Sequence, residues 1–203
     1  MAYQLMWFET KLPDEVVNMM SDYLKKYDSE FQIGKIGSES ESGRIDFEKR
    51  KNKNVFIPSD NWISGFCYHY VMLANKNNFL YDIEGFGNDV LQYSSYEEGE
   101  YYNWHVDTSI ALSSQMTGDT KEDFLNLNCE KVRKLSITIQ LSDACDYSGG
   151  EFQLLTDEGI SYFAPKEKGT VVIFDSRLRH RVRKVRKGCR RSLVGWAVGP
   201  RWR

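Results

Sequence analysis

The sequence predicts a mainly β protein with α-helices at its N-terminus, and three features of the chain support this fold class. Two segments before residue 78 carry apolar residues at helical spacing. From residue 79 the pattern changes to short alternating segments rich in β-branched and aromatic residues, with no helical pattern between them. That arrangement is typical of an antiparallel sandwich or barrel. The length of 203 residues fits a single domain over 1–203.

The N-terminal part, residues 1–78, is predicted to be a helical support with one polar loop. The first helix begins at Pro13, and acidic residues at its first turn match the favourable end of the helix dipole. The second helix runs from about Ser59 to Lys76. The polar segment Gly34–Val55 lies between them.

The β part, residues 79–200, is predicted from nine short segments with a period of two. They are Leu80–Glu84, Val90–Tyr96, Tyr101–Asp107, Leu135–Leu141, Glu151–Leu155, Ser161–Phe163, Thr170–Phe174, Arg181–Val185 and Ser192–Val198. One polar insertion, Thr108–Glu130, interrupts them. Loops of this length are usually functional lids or disordered, so this segment and Gly34–Val55 are candidate lids.

Composition excludes several classes of protein. Hydrophobic residues make up 41% and aromatic residues 14%, which excludes a wholly disordered chain. No apolar run approaches the roughly 20 residues of a membrane span, and the first residues lack a basic start followed by an apolar run. The four cysteines include no Cys-x-x-Cys pair, which favours free thiols in a reducing compartment. We therefore expect a cytoplasmic protein without a membrane partner.

The charge is unevenly distributed, although the net charge is only −2. Eleven Lys or Arg residues and no Asp or Glu lie between Arg177 and Arg203. The run indicates either strand residues that face water or a surface for an anionic partner. Aromatic residues for base stacking are not concentrated beside it in the sequence, so we expect no nucleic-acid partner.

Two of the three histidines have the pattern of metal ligands. His105 and Asp107 are two residues apart in a strand-like segment, so both side chains point to one face. His180 follows the apolar strand Thr170–Phe174 by a short turn. Two histidines and one carboxylate form the facial triad of non-haem Fe(II), which leaves three positions for other ligands. A His-x-Asp pair alone also occurs by chance, so further residues must decide.

Arg190 supplies the second part of the candidate site. Ser192 lies on the same strand face as Arg190, whereas Arg191 lies on the opposite face. A guanidinium binds a carboxylate through two parallel hydrogen bonds, and a neighbouring hydroxyl can donate another. A metal with open positions and a carboxylate clamp suits a short keto-dicarboxylate, and 2-oxoglutarate is that molecule.

Several motifs together resemble the prolyl 4-hydroxylase-like 2-oxoglutarate/Fe(II) dioxygenase family over about residues 79–200. They are Tyr96-x-x-Gly99-x-x-Tyr102-x-x-His105-x-Asp107, then Leu135–Ser142 with Gly149-Gly150-Glu151-Phe152, then Pro165, Gly169-Thr170 and Phe174, and finally His180-Arg181-Val182, Val185, Gly188, Arg190, Ser192-Leu193 and Trp196. The resemblance implies a short stand-alone microbial or phage-type member with a double-stranded β-helix (jelly-roll) catalytic core.

The resemblance also implies roles for single residues. His105, Asp107 and His180 are the expected catalytic iron ligands, and Arg190 with Ser192 the expected 2-oxoglutarate site. Tyr96 matches a position that contacts co-substrate or substrate in relatives, and a core-packing role is an equal alternative. Gln140 stands where some relatives have a tyrosine that contacts the co-substrate, so that contact is not transferred.

The implied function is hydroxylation of a prolyl residue in a peptide or protein, with Fe(II), 2-oxoglutarate and O2, and ascorbate as a candidate reductant. Succinate and CO2 are the by-products. One alternative keeps this oxidation but acts on a free amino acid, another side chain or a nucleobase. The other is a non-catalytic jelly-roll binding module, against which all the expected ligands are present. The sequence does not indicate the oligomeric state.

Overall fold

The computed structural model describes residues 7–36, 44–86, 90–107, 131–156 and 158–200, and most of its strands belong to two antiparallel sheets. The helices are α1 (Asp14–Leu24) and α2 (Trp62–Ala74), followed by a 3-10 turn at Lys25–Glu30 and a π-helical turn at Asn75–Phe79 respectively. The strands are β1 (Trp7–Lys11), β2 (Gln32–Ile33), β3 (Arg50–Lys51), β4 (Lys53–Pro58), β5 (Gly85–Phe86), β6 (Val90–Tyr96), β7 (Tyr101–His105), β8 (Lys131–Gln140), β9 (Tyr147–Gly149), β10 (Phe152–Leu155), β11 (Ser161–Phe163), β12 (Thr170–Asp175), β13 (Arg179–Val182), β14 (Val185–Gly188) and β15 (Arg190–Pro200).

The strands form a major and a minor sheet. The major sheet has the order β1-β12-β8-β15-β6-β4-β2, with β5 paired to β15. The minor sheet has the order β11-β10-β13-β7-β3, and β14 pairs with β9 separately. Every pairing is antiparallel, which is the arrangement of a jelly roll with its two facing sheets. The predicted fold class is confirmed.

Alternation along the central strands produces two cores, one on each side of the major sheet. On β12, Val171 and Ile173 pack with residues of the two helices, whereas Val172 and Phe174 pack with residues of the minor sheet. A strand that is buried on both faces reads as a continuous apolar run, and Thr170–Asp175 is buried throughout. The major sheet therefore lies between a helical layer and the minor sheet.

The helices start and pack for simple reasons. Pro13 stands just before α1, where its missing N–H costs nothing, and Val17, Met20 and Leu24 place one buried face on the sheet. The Asn61 side chain caps α2 by accepting hydrogen bonds from the backbone N–H groups of Ile63 and Ser64, at 2.9 and 3.2 Å. Neither helix within the described ranges combines the length and the apolar character that a membrane crossing requires.

Residues 1–78 contribute more than the predicted helical support and polar loop. Strand β1 pairs with β12 and β4 pairs with β6, so both extend the major sheet, while β3 pairs with β7 in the minor sheet. β1 and β3 lie at sheet edges, whereas β4 lies between β6 and β2 but begins within the polar segment Gly34–Val55. The sequence pattern missed all three because none has an alternation of its own that marks a strand. The predicted lid Gly34–Val55 contains β3 and part of β4, and its residues 37–43 lie outside the described residues, as does the whole of Thr108–Glu130.

Two predicted strands are corrected. Leu80–Glu84 is not a strand: Leu80 has a φ of 57°, and the Asn75 side chain bonds the backbone N–H and C=O of Tyr81, each at 2.8 Å. These bonds satisfy the backbone that a sheet ladder would otherwise pair. The predicted strand Arg181–Val185 is divided between β13 and β14, because the chain crosses from the minor sheet to pair with β9.

Gly169 joins the N-terminal residues to the β core, and we expect Gly169→Ala to destabilise the protein. Gly169 has a φ of 85°, and its carbonyl accepts a 2.8 Å hydrogen bond from Leu12. A Cβ there would lie 2.5 Å from the Leu12 carbonyl oxygen. The left-handed conformation costs about 1–2 kcal/mol for a side chain, and the clash adds to it. At about 2–4 °C per kcal/mol for a chain of this length, thermal unfolding should show a Tm lower by about 2–8 °C from the conformational cost alone, and by more with the clash.

Gly159→Ala is the matched control. Gly159 also has a positive φ, of 78°, but a Cβ there meets nothing within 4 Å. This variant carries only the conformational cost, so its Tm should fall by less than that of Gly169→Ala. Equal losses in the two variants would show that the approach of Leu12 adds nothing.

Candidate active site

The structure brings His105, Asp107 and His180 together on the inner side of the minor sheet. His105 is the last residue of β7 and lies opposite His180 of β13 in the strand register. The prediction that Asp107 lies in the same strand as His105 is wrong. Asp107 follows β7 in a bend, where its backbone N–H donates to the Ser176 carbonyl at 2.9 Å. One potential ligand atom from each of the three residues lies within 4.8 Å of the others.

Backbone carbonyls orient both imidazoles. Each Nδ1 lies in hydrogen-bond distance of the carbonyl oxygen two residues earlier, His105 with Asn103 at 2.8 Å and His180 with Leu178 at 2.9 Å. With the proton on Nδ1, the Nε2 lone pairs turn to the carboxylate, at 3.7 Å from His105 to Asp107 Oδ1 and 3.4 Å from His180 to Oδ2. Carbonyls that hold the second nitrogen are the usual support of histidine ligands in metal sites.

The protonation states of the cluster suit a cation. Burial and the neighbouring His180 lower the pKa of His105 to about 3, so its imidazole is neutral at physiological pH. Burial alone would raise the pKa of Asp107, but His180 and His105 lower it by more, so the carboxylate is charged. Neutral imidazole and ionised carboxylate are the forms that bind metal. Two nitrogen donors and one oxygen donor on one side fit Fe(II) with open positions opposite them.

Two residues to which the sequence analysis gave no role complete the surroundings of the cluster. Ser136 of β8 donates a 2.8 Å hydrogen bond to Asp107 Oδ2 and lies 2.9 Å from the Ser176 hydroxyl. Tyr102 stacks on the His105 ring at a centroid distance of 3.5 Å. β8 belongs to the major sheet and β7 to the minor sheet, so Ser136 meets Asp107 through the packing of distant segments and no local pattern pointed to its role.

We expect Ser136→Ala to lower the affinity for Fe(II) by about 10- to 100-fold, because the carboxylate loses the bond that orients it. Titration of the purified protein with Fe(II) under anaerobic conditions measures this directly. Ser95→Ala is the control: Ser95 is also buried, but its hydroxyl contacts the Cys189 sulfur at 3.3 Å. Unchanged affinity in Ser136→Ala would mean that the backbone alone holds Asp107.

Arg190 and Ser192 lie in the interior, beside a cavity between the two sheets. Arg190 is 3% exposed, and its guanidinium donates a 3.1 Å hydrogen bond to the Ser192 hydroxyl. The cavity is lined by Thr138, Gln140, Tyr147, Phe152, Ala164, Pro165, Lys166, Thr170, Val172 and Arg190. The Phe152 ring is also 5.8 Å from the His180 ring, so the cavity adjoins the histidine cluster.

The side chain of Arg191 points away from this cavity. It bonds Asp28 at 3.1 Å and the Tyr93 hydroxyl at 2.9 Å on the helical side of the major sheet. The two arginines therefore occupy opposite faces of β15, as the alternation predicts. Tyr96 is 3% exposed and packs within the inner core, with the Arg190 guanidinium 5.6 Å from its ring.

Sequence reasoning missed several groups at the Arg190 end of the cavity. The Tyr147 hydroxyl accepts a 3.1 Å hydrogen bond from Gln140. A phenol therefore stands next to the position where relatives were expected to carry a tyrosine, but it comes from another strand. Lys166 lies over the Tyr147 ring, 4.2 Å from its centroid. Neither residue has a local signal, because Tyr147 lies in a three-residue strand and Lys166 in the loop between β11 and β12, and only the fold brings them to the cavity.

A jelly roll that holds two histidines and one aspartate at the inner side of its minor sheet has the arrangement of a mononuclear non-haem iron enzyme. The family model described as "2OG-Fe(II) oxygenase superfamily" matches residues 91–198 of this chain. The chain belongs to the 2OG-Fe(II) oxygenase superfamily.

Three individual proteins with similar sequence or structure are named as hydroxylases. A PKHD-type hydroxylase of Cupriavidus metallidurans is 28% identical over 133 residues, which cover 64% of this chain and 53% of the relative. The solved Pseudomonas putida prolyl-4-hydroxylase has a TM-score of 0.67 at 18% identity, covering 96% of this chain and 92% of that one. A Trichoplax adhaerens prolyl hydroxylase, in complex with a hypoxia inducible factor oxygen degradation domain peptide fragment, has a TM-score of 0.68 at 16% identity, covering 94% and 82%.

The structural and the sequence similarities support different conclusions. The solved structures are below 25% identity and show the jelly-roll fold. Matches to curated PKHD-type hydroxylases cover between 36% and 53% of the relatives' own length. The chain thus spans about half or less of those proteins.

Proposed function

We propose that this protein is an Fe(II)- and 2-oxoglutarate-dependent dioxygenase that hydroxylates a prolyl residue in a peptide or protein. One observation carries the proposal: a cluster of two histidines and one aspartate adjoins a cavity that ends at the buried Arg190. Within the described ranges, no carboxylate lies within 4 Å of the Arg190 guanidinium, whose hydrogen-bond partner is the neutral Ser192 hydroxyl, so its charge is available for an anionic ligand.

The proposed metal ligands are His105, Asp107 and His180. Their carbonyl and hydroxyl partners hold the donor atoms in place before the metal binds, which reduces the cost of assembling the site. Bound iron supplies the oxidation, in which O2 and 2-oxoglutarate are converted to succinate and CO2 while one oxygen atom enters the substrate.

Arg190 and Ser192 are proposed to bind the far carboxylate of 2-oxoglutarate. The guanidinium offers a planar pair of donors, and burial excludes the water that would compete for the carboxylate. Phe152 and Val172 form apolar walls between this end and the cluster. Tyr96 is proposed to contact the bound co-substrate from the Arg190 side.

A prolyl substrate is supported by the relatives and not by a contact in this structure. The solved Pseudomonas putida protein and the Trichoplax adhaerens complex share the fold, and the latter holds a peptide fragment.

We also propose a cytoplasmic location, in keeping with the free thiols of Cys67, Cys145 and Cys189. Ascorbate is the proposed reductant.

The test combines two measurements on the iron-loaded protein. Succinate formation from 2-oxoglutarate that requires Fe(II) supports the dioxygenase, and its absence would return the chain to the non-catalytic alternative. Mass spectrometry then compares proline peptides, free amino acids and oligonucleotides for a gain of about 16 Da, the mass of one oxygen atom. A gain on amino acids or oligonucleotides alone would reject the prolyl substrate but keep the chemistry.

A further inference from the structure

Part of the basic run of the C-terminal sequence forms a surface on the outside of the minor sheet. Along β13, the buried residues His180 and Val182 face the interior, whereas Arg179 is exposed and Arg181 partly buried on the other side. Arg183 and Lys184 continue the run after the strand, and both are exposed. We call this set, Arg179, Arg181, Arg183 and Lys184, the outer basic face.

Aromatic rings from other strands lie beneath these cations. The Arg181 guanidinium lies 4.4 Å from the centroid of the Trp104 ring on β7, and the Lys184 ammonium lies 5.7 Å from the Tyr101 ring. Arg183 lies 6.0 Å from Phe163 of β11, a ring that is 48% exposed. The expectation of no nucleic-acid partner depended on the absence of aromatics near the basic run in the sequence. In the folded chain, aromatic rings from other strands lie next to the basic residues.

Counter-charges are scarce on this face. Over the described ranges, Glu151 is the one carboxylate within 4 Å of the outer basic face, at 3.9 Å from Arg183, and it also lies 4.0 Å from the neighbouring Arg186. The Arg181 guanidinium donates to the neutral side chain of Gln153 at 2.7 Å. Partial burial, followed by repulsion from Arg183, lowers the pKa of Arg181, as expected for a cation without an acidic partner.

We propose that the outer basic face binds single-stranded nucleic acid. Alternate strand residues are about 6.6 Å apart, so Arg179 and Arg181 present charges in a regular row along β13. Such a row suits consecutive phosphates, and the exposed Phe163 ring and the guanidinium planes offer stacking surfaces for unpaired bases. An acidic peptide would satisfy the charges but would leave the ring faces unused, and a duplex does not expose its bases for stacking.

The proposed surface and the proposed active site lie on opposite faces of the same strand. His180 points inward between Arg179 and Arg181, which point outward. Binding of nucleic acid therefore requires neither iron nor 2-oxoglutarate, and it can be measured independently of hydroxylation.

The test is fluorescence anisotropy of a labelled 20-nucleotide oligouridylate with the full chain, without iron, between 50 and 200 mM salt. For a single strand, each phosphate contact makes the slope of log affinity against log salt concentration steeper by about 0.7. The triple variant Arg179→Gln, Arg181→Gln, Arg183→Gln should therefore reduce that slope by about 2. We also expect its affinity at 50 mM salt to fall by at least about tenfold.

The triple variant Lys11→Gln, Lys25→Gln, Lys26→Gln is the control, since it removes the same charge from exposed positions around α1. Its affinity should stay within about twofold of the unmodified chain. The proposal is overturned by no binding at 50 mM salt or by equal losses in both triple variants. It is also overturned if a 20-base-pair duplex binds as tightly, or if polyglutamate of equal charge competes as well as unlabelled oligouridylate does.

Discussion

Replacing His180 with alanine should reduce Fe(II)-dependent succinate formation by more than about 100-fold, beyond the 10- to 100-fold typical of residues that only support metal ligands. His180 provides one of the three donor atoms, and two remaining donors hold Fe(II) poorly. His105→Ala and Asp107→Ala should act in the same way. Asp107→Glu keeps the charge but moves the carboxylate by about one methylene, and reactions in such sites are sensitive to shifts of about 1 Å.

His69→Ala is the matched control, because His69 is the one other histidine of the chain and lies exposed on α2. It should leave turnover unchanged. The jelly roll closes through its strand pairing and two apolar cores, so the triad variants should still unfold cooperatively. Near-normal turnover at matched iron in any of them would remove that residue from the metal site.

The parts of the site that could be predicted are those where residue chemistry and local geometry suffice. Histidines are few, and the spacing His105-x-Asp107 restricts the two side chains to one neighbourhood whether the strand ends at His105 or at Asp107. Alternation along β15 separates Arg190 from Arg191. These inferences need no knowledge of which strands pair.

The parts that escaped prediction depend on pairings between distant segments. Ser136 reaches Asp107 only because β8 lies beside β12 and β15, and Tyr147 reaches the cavity from a three-residue strand. The same cause hid β1 and β4, which are held by the major sheet and not by their own pattern. It also hid the rings beneath the outer basic face, since Trp104 precedes Arg181 by more than 70 residues in the sequence.

Arg190→Ala should weaken the binding of 2-oxoglutarate by roughly 30- to 1000-fold or more. Loss of one partner of a buried charge pair costs about 2–5 kcal/mol, largely because the other charge stays buried without a partner. At about 1.4 kcal/mol per tenfold, this gives the stated range. Arg190→Lys should be intermediate, because an ammonium keeps the charge but loses the planar pair of donors.

Arg191→Ala is the control that tests the face assignment, and it should change 2-oxoglutarate affinity little. Its ion pair with Asp28 is on the helical side of the major sheet, with both side chains more than one-third exposed. Pairs of this kind contribute about 0–1 kcal/mol to stability. Their loss should lower the free energy of unfolding slightly and leave the cavity unchanged. The measurement is the apparent affinity for 2-oxoglutarate at saturating Fe(II) in all three variants. A large loss in Arg191→Ala with normal binding in Arg190→Ala would mean that β15 presents its other face to the co-substrate.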